Sequence, residues 1–325
     1  MGLLVDGQWH DQWYDTEKSK GEFKRQESSF RNWVTADGLA GPSGTGGFTA
    51  EPGRYHLYVS SACPWAHRTL IFRVLKKLEA LITVSVVEPL MLEYGWELSR
   101  ETAEASPTPG VDYLYQVYLQ ADPHYSGRVS VPVLWDKQRR TIVNNESSEI
   151  IRMLNSAFNA FTEVDIDYYP ASLRGEIDAV NLRVYDTVNN GVYKAGFATT
   201  QQAYEAAFTE LFASLDWLES RLFHQRYLAG DRLTEADWRL FTTLLRFDAV
   251  YFGHFKCNLR RIEDYYQLSN YLRELYQVSG IAGTVDFEQI KSHYYGSHKT
   301  INPTGIIPRG PELDYTRGHD RGRFG

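Results

Sequence analysis

The pattern of apolar and polar residues becomes regular only after an irregular first stretch of about 50 residues. Residues 55–60 (YHLYVS) form a short run rich in aromatic and β-branched side chains, which predicts a strand. Apolar residues at helical spacing then predict a helix over residues 64–78. Residues 82–87 (ITVSVV) predict a second strand. Strand, helix and strand within about 30 residues indicate a βαβ unit, whose two strands are parallel.

A second group of elements follows a long interruption. Residues 88–127 contain proline, glycine and acidic residues and predict an insertion or a functional loop. Residues 129–136 (VSVPVLWD) predict a third strand, although Pro132 cannot donate to a strand ladder. A short fourth strand over 141–143 and a helix over 145–155 complete the order β-α-β, insertion, β-β-α.

The second half of the chain has a helical pattern from about residue 171 to about 290. Thr234, followed three positions later by Asp237, predicts a capped helix start. The Gly-rich stretch 41–47 lacks phosphate-binding spacing and predicts a flexible loop, and the Gly-, Pro- and Arg-rich tail predicts an exposed arm. The predicted parts are an N-terminal extension (1–50), an α/β domain (51–160), an all-helical domain (171–295) and a C-terminal arm (296–325).

Composition limits the function classes that need to be considered. A length of 325 residues predicts two domains, and a net charge of −7 argues against nucleic acid as a partner. No window of about 18 apolar residues occurs, so we expect no membrane association through a spanning helix. Two cysteines and no secretory signal in the first residues indicate a reducing compartment, and we expect the cytoplasm.

Candidate chemistry centres on Cys63, which lies between a predicted strand and a predicted helix. Pro64 fits the first helical position, and a helix N-terminus favours a thiolate through its free N–H groups and its dipole. The alternative is a small buried residue, but the strand, Cys-Pro and helix context favours a nucleophile. Residue 66 is alanine and Cys257 is 194 positions away, so a mixed disulfide on Cys63 needs an external thiol such as glutathione.

Several longer segments resemble one family over nearly the whole chain. They are CPWAHR from Cys63, MLEYGW ending at Trp96, DPHYSGRVSVPVLWD, NNESSEIIR, DTVNNGVYKAGFA and HKTINPTGI. The sequence resembles the bacterial glutathionyl-hydroquinone reductases, the Xi class of the glutathione transferases. This resemblance implies a thioredoxin-like N-terminal domain (βαβ-ββα) followed by an all-α C-terminal domain, with extensions at both ends.

The resemblance also implies roles for individual residues. Cys63 would attack the sulfur of a glutathionyl-hydroquinone, and Tyr193 would donate a proton to the leaving ring. Tyr251 and Tyr294 would lie near the sulfur in an aromatic-substrate pocket and stabilise the thiolate. A cis Val131–Pro132 bond is also implied. The implied glutathione-binding residues are Trp96, Arg128, Val129, Ser130, Val131, Glu146 and Ser147.

The implied partners are small molecules, with glutathione as co-substrate, and a second copy of the chain in a homodimer. No permanently bound cofactor is expected. No metal site is expected either, because His254 and Cys257 have ligand-like spacing but no second pair. His67 and Arg68, which follow the nucleophile, are interpreted as structural residues.

Two other functions remain open at this level. An omega-like glutathione thioltransferase or dehydroascorbate reductase would share Cys63 and the glutathione site without an aromatic pocket. A non-enzymatic binding module is the second alternative, because transferase folds also serve as interaction domains. The intact set of Cys63, Val131-Pro132 and Glu146-Ser147 argues against a module, which has no need of a complete thiol site.

Overall fold

The computed structural model describes residues 2–325, which form two compact units. The first, called here the sheet unit, consists of residues 2–13, 26–167 and 288–293. The second, called the helical unit, consists of residues 14–25, 168–287 and 294–325.

The sheet unit contains short strands and four helices. Its strands are β1 (Leu3–Val5), β2 (Gln8–His10), β3 (Tyr55–Val59), β4 (Thr83–Val86), β5 (Met91–Leu92), β6 (Gly95–Trp96), β7 (Gly127–Arg128), β8 (Val133–Asp136) and β9 (Thr141–Asn144). Its helices are α1 (Pro64–Leu75), α2 (Arg100–Ala105), α3 (Leu114–Ala121) and α4 (Ser147–Ser156).

The centre of the sheet unit is a four-stranded mixed sheet in the order β4-β3-β8-β9. Strand β3 is parallel to β4 and antiparallel to β8, and all five of its residues are buried. Helix α1 makes the crossover between the two parallel strands and packs beside α4. This is the βαβ, then ββα, order predicted from the sequence.

A buried ion pair connects the start of β3 to the end of β8. Arg54 precedes β3 and binds the carboxylate of Asp136, the last residue of β8, with Nε 3.1 Å from both oxygens. The Asp136 carboxylate also accepts the main-chain N–H of Gln138 at 2.9 Å in the following turn. The charge is therefore both paired and hydrogen-bonded, which a buried carboxylate requires.

Two predicted loops contain regular structure. The 88–127 insertion holds β5, β6, α2, α3 and the beginning of β7. The irregular N-terminal stretch contains β1 and β2, which form an antiparallel sheet with β7 through the pairs Leu3–Arg128 and Leu4–Gly127. Strands of two or three residues are too short to show an apolar period, so sequence periodicity does not reveal them.

The third strand is shorter than predicted. It begins at Val133 instead of Val129, immediately after Pro132. Proline has no N–H to donate to the neighbouring strand, so pairing starts only beyond it. The residues from Val129 to Pro132 are therefore not part of the strand and form a loop before β8.

The helical unit is built from six helices. They are α5 (Arg174–Val184), α6 (Gly191–Gly196), α7 (Gln201–His224), α8 (Glu235–Arg246), α9 (Tyr266–Tyr276) and α10 (Phe287–Ser297), of which residues 288–293 belong to the sheet unit. The predicted capping box at Thr234 and Asp237 is confirmed at the start of α8. Asp237 is fully buried, and it also accepts hydrogen bonds from the Leu228 N–H and the Tyr271 hydroxyl.

The C-terminal arm is mostly exposed, as predicted, but Arg321 is completely buried. Its guanidinium donates to the carbonyl oxygens of Leu222 at 2.8 Å and of Gln225 at 2.7 Å. It also donates to the carbonyl oxygen of Arg226. The last carbonyls of a helix lack intrahelical donors, so Arg321 satisfies the C-terminal end of α7.

Within residues 2–325, no helix combines the length and the apolar character needed to cross a membrane. In the same described range, no group of three or more histidine, cysteine, aspartate or glutamate side chains is arranged to hold a metal ion.

Candidate active site

Cys63 lies between β3 and α1 and caps the N-terminus of that helix. Its thiol is partly exposed, and its Sγ accepts a hydrogen bond from the Ala66 N–H at 3.5 Å. Pro64 takes the first helical position, as predicted. The carbonyl oxygen of Val131 is 3.6 Å from Sγ and accepts from the protonated thiol. An N–H donor and the positive end of the helix dipole favour the thiolate at this position.

The loop before β8 brings the main chain of Val131 to the thiol. The Val131–Pro132 peptide bond is cis, as the resemblance implied. An extended peptide lying along this loop could pair with the Val131 main chain and bring its own sulfur to Cys63. The structure therefore brings together two of the predicted site residues, Cys63 and Val131.

Glu146 and Ser147 lie at the N-terminus of α4. Glu146 is the capping residue, and its carboxylate accepts the Ser148 N–H at 3.0 Å. Ser147 is buried, and its hydroxyl accepts a hydrogen bond from the guanidinium of Arg68 at 3.3 Å. A serine hydroxyl, a helix N-terminus and a nearby cation together suit a carboxylate ligand.

Arg68 makes a contact that the sequence did not reveal. His67 and Arg68 are both buried, in agreement with a structural interpretation. The Arg68 guanidinium also lies 4.6 Å from the ring centre of Trp65, and it extends to Ser147. Arg68 therefore fixes the hydroxyl at the start of α4 from α1. The two residues are 79 positions apart, so local sequence patterns could not predict this contact.

Ser130 and its neighbours are held by a buried tyrosine. Tyr118 donates its hydroxyl to the Ser130 carbonyl oxygen at 2.8 Å and accepts from the Asn145 amide at 3.1 Å. Burial raises the pKa of Tyr118 to about 12, so the hydroxyl stays protonated and can donate. Val129 beside it is buried. Sequence analysis did not single out Tyr118 or Asn145, although Asn145 directly precedes Glu146.

Trp96 and Arg128 contact other residues of the sheet unit. Trp96 is buried and stacks on His293, with ring centres 4.8 Å apart and an interplanar angle of 22°. His293 in turn contacts the Pro89 carbonyl oxygen at 2.9 Å. Arg128 donates to the main-chain carbonyl of Gln12. His293 was not among the predicted site residues, because nothing in its local sequence distinguishes it.

The three tyrosines predicted as site residues share one hydrogen-bonded network in the helical unit. The Tyr294 hydroxyl is 2.6 Å from the Tyr193 hydroxyl and 3.0 Å from the Tyr251 hydroxyl. Burial raises the pKa of both Tyr251 and Tyr294 well above the ordinary value of a phenol. The hydroxyls of Tyr251 and Tyr294 are therefore neutral at physiological pH and able to donate hydrogen bonds.

Aromatic rings surround this network. The ring of Phe255 lies 5.5 Å from that of Tyr193 and stacks at 5.5 Å on that of Tyr251. Phe197 packs against Phe255 at 4.9 Å. A Cβ atom at Gly196 would lie 2.2 Å from Phe255, so this packing requires glycine. Such an environment suits an apolar ring with polar substituents.

Cys257 is not a second reactive thiol. It is completely buried in the helical unit, and burial raises its pKa strongly. A thiol with a raised pKa is a poor nucleophile at neutral pH.

The chain matches two family models. Residues 62–157 match the glutathione S-transferase N-terminal domain, and residues 201–274 match the glutathione S-transferase C-terminal domain.

Curated relatives match over nearly the full length. The chain is 60% identical to the glutathionyl-hydroquinone reductase YqjG of Escherichia coli K12, with all of both chains covered. It is 57% identical to the glutathionyl-hydroquinone reductase PcpF of Sphingobium chlorophenolicum, with 96% of each covered.

Solved structures give the same result. The glutathione-bound structure of YqjG, a glutathione transferase homologue from Escherichia coli K-12, superimposes with a TM-score of 0.90 at 57% identity and covers 99% of each chain. A Xi class transferase from Natrialba magadii superimposes with a TM-score of 0.88 at 46% identity and covers 99% of this chain and 97% of the other.

Proposed function

The chain belongs to the glutathionyl-hydroquinone reductases, the Xi class of the glutathione transferases, and we propose that it uses glutathione to reduce glutathionyl-hydroquinones through a disulfide on Cys63. Membership confirms the predicted transferase fold, with a thioredoxin-like domain followed by helices. The chain is therefore an enzyme that uses glutathione as co-substrate.

One observation supports the covalent step most directly. The partly exposed thiol of Cys63 lies at a helix N-terminus against Val131, whereas the thiol of Cys257 is buried and its pKa is raised. A mixed disulfide on Cys63 consequently has no internal thiol to resolve it. Resolution by a second glutathione gives a two-electron reduction instead of a conjugation.

The proposed reaction has two steps. The Cys63 thiolate attacks the glutathionyl sulfur, an S–S bond forms, and the bond between sulfur and ring carbon breaks. The ring carbon keeps the electron pair and takes a proton from Tyr193, which releases the hydroquinone. The thiolate of a second glutathione then attacks the glutathionyl sulfur, which releases glutathione disulfide and restores the Cys63 thiolate. Overall, one glutathione reduces one glutathionyl-hydroquinone.

The glutathione-binding roles follow from the chemistry of each group. The Val131 main chain pairs with the cysteinyl group of glutathione. Val129 and Ser130, which precede it in the same loop, contribute to the same binding surface. Glu146 and Ser147 bind the γ-glutamyl ammonium and carboxylate, because a carboxylate suits a cation and a hydroxyl at a helix N-terminus suits an anion. Arg128 supplies a positive charge to a carboxylate of glutathione. Trp96 covers the peptide of glutathione.

Thiolate formation alone does not explain the expulsion of a carbon leaving group. A thiol whose pKa falls from about 8.5 to about 6 gains roughly 30-fold in thiolate at pH 7. Its intrinsic nucleophilicity falls roughly 13-fold over that range, so the net gain is about twofold. Positioning and proton donation have to supply the rest, which is why Tyr193 is assigned a catalytic role. Tyr251 and Tyr294 are assigned to the aromatic pocket and to stabilising the thiolate.

We expect Tyr193→Phe to slow hydroquinone release by about 10²-fold or more, because general acid catalysis contributes about that much. Release would be followed in a single turnover, and the rate of Cys63 alkylation by iodoacetamide would be measured alongside. Alkylation should stay at the wild-type rate. Release at the wild-type rate by Tyr193→Phe would rule out the proton-donor role.

A comparison of substrates separates the proposed function from its alternatives. We expect kcat/KM for a glutathionyl-hydroquinone to exceed that for glutathionyl-cysteine, a small mixed disulfide, by at least about tenfold, because only the former has an aromatic ring for the proposed pocket to bind. A preference for the mixed disulfide would indicate an omega-like thioltransferase. Glutathione binding without turnover of either compound would indicate a binding module.

We place the enzyme in the cytoplasm as a homodimer. A reaction that consumes reduced glutathione and relies on one free reactive thiol suits a reducing compartment. The dimer is the assembly expected from the family resemblance.

A further inference from the structure

The N-terminal segment 14–25, which the sequence suggested was an irregular arm, is part of the helical unit and packs on Tyr193. Phe23 is only 5% exposed, and its ring lies 5.4 Å from Phe197 and 6.4 Å from Tyr193. Tyr14 meets the ring of Phe23 edge-on at 4.7 Å. The main chain of the segment is also tied to the start of α7, because the Thr199 N–H donates to the Gly21 carbonyl oxygen at 3.0 Å.

Arg25 brings a positive charge to the same tyrosine. Its guanidinium carbon lies 4.9 Å from the ring centre of Tyr193 and 5.4 Å from that of Phe23. The Nε–H of Arg25 donates to the side-chain oxygen of Asn190 at 2.8 Å. Asn190 is buried, and it precedes Tyr193 by three residues at the beginning of α6. Arg25 is therefore held in place by the helix that carries the tyrosine.

A guanidinium over a phenol ring has two consequences. The ring is held by a cation–π interaction, because its electron-rich face attracts the guanidinium. The positive charge also stabilises electron density that develops on the ring when the hydroxyl gives up its proton, which makes the phenol a better acid.

Other charged and titratable groups surround the network that contains Tyr193. Tyr294 and Tyr251 supply hydroxyls whose pKa burial raises, and the charge of Arg246 offsets only part of that rise. Lys194 is paired with Asp186 at 2.6 Å. Arg25 differs from these groups because its guanidinium lies over the face of the Tyr193 ring.

We propose that Arg25 is a positioning residue for Tyr193, which fixes the phenol ring and strengthens its hydroxyl as the proton donor to the leaving hydroquinone. The inference rests on the function proposed above. It assigns part of the catalytic apparatus to a segment that lies about 40 residues before the nucleophile.

The test measures single-turnover hydroquinone release from a glutathionyl-hydroquinone by the full-length protein. We expect Arg25→Met to slow release about five- to tenfold, and KM for glutathione, measured separately in the steady state, to be unchanged. Arg25→Lys retains the charge but loses the planar guanidinium and its hydrogen bond to Asn190, so its rate of release should lie between those of wild type and Arg25→Met. Arg174→Met is the matched control, because exposed Arg174 also lies over a tyrosine ring, 5.0 Å from Tyr169, and binds its carbonyl oxygen.

The decisive comparison is made in a Tyr193→Phe background. Phenylalanine keeps the ring beneath Arg25 but has no proton to give, so Arg25→Met should cause no further loss there. An equal loss in both backgrounds, or no loss in the Tyr193 background, would overturn the assignment. Failure of the proposed function is recognised separately, because in that case either the wild type does not release hydroquinone or Tyr193→Phe releases it at the wild-type rate.

Discussion

Replacement of Cys63 by serine is expected to lower kcat for a glutathionyl-hydroquinone by at least about a thousandfold. A serine hydroxyl cannot form a disulfide with the glutathionyl sulfur, so the covalent intermediate is lost and not merely slowed. Steady-state release of hydroquinone with excess glutathione measures the loss. Mass spectrometry of wild type, quenched before a second glutathione is added, should show one glutathionyl group on the peptide that contains Cys63.

Cys257→Ala provides the control for the loss of a thiol. Cys257 is buried, and its Sγ contacts only the Phe255 carbonyl oxygen, at 3.8 Å, among the hydrogen bonds described for it in residues 2–325. We expect this variant to turn over at the wild-type rate and to carry the same single adduct. Turnover by Cys63→Ser within tenfold of wild type, or an adduct on Cys257, would contradict the mechanism.

Replacement of Arg321 by methionine is expected to destabilise the helical unit by about 3–5 kcal/mol. Arg321 is fully buried and donates to the carbonyl oxygens of Leu222, Gln225 and Arg226, which methionine would leave without these donors. A buried acceptor that loses its partner costs about 1–3 kcal/mol, and the losses are not fully additive. Amide hydrogen exchange in α7 and α9 measures the change in local stability. It does not require the assumption that both units unfold in a single two-state transition.

Arg317→Met is the matched control in the same arm. Arg317 is exposed and pairs with Glu263 at 2.6 Å on the surface. A surface ion pair contributes about 0–1 kcal/mol, so exchange in α7 should hardly change. Equal changes in hydrogen exchange for the two substitutions would contradict a specific stabilising role of buried Arg321.

Local sequence patterns predicted the central sheet and the position of Cys63 at the start of α1. The run before Cys63 has the composition of a buried strand, and all residues of β3 are indeed buried. Pro64 identified the first residue of α1, because proline is favoured there for a reason that needs no tertiary contact. The same local argument predicted the capped start of α8 at Thr234. Signals of this kind lie within a few residues, and so they can be read from one chain.

Contacts between distant positions could not be predicted in this way. Arg68 reaches Ser147 across 79 positions, and Tyr193 reaches Tyr294 across 101. Neither partner has a spacing or a neighbour that identifies the other, because side-chain hydrogen bonds across a fold leave no period in the sequence. Trp96 was implicated by resemblance, but its stacking partner His293 lies almost 200 residues away and was missed. The roles assigned to the glutathione-binding residues and the tyrosines remain predictions.

The interleaving of the two units has a consequence for biosynthesis. The sheet unit includes residues 288–293, so the ribosome has to make residues 168–293 after the rest of that unit has already been translated. At about 5–20 residues per second, this takes roughly 6–25 s, during which Trp96 lacks the imidazole ring on which it stacks. For the same reason, a fragment that ends at residue 167 does not contain a whole unit. Dividing this protein for expression after residue 167 would therefore remove part of the unit that contains Cys63, the proposed nucleophile.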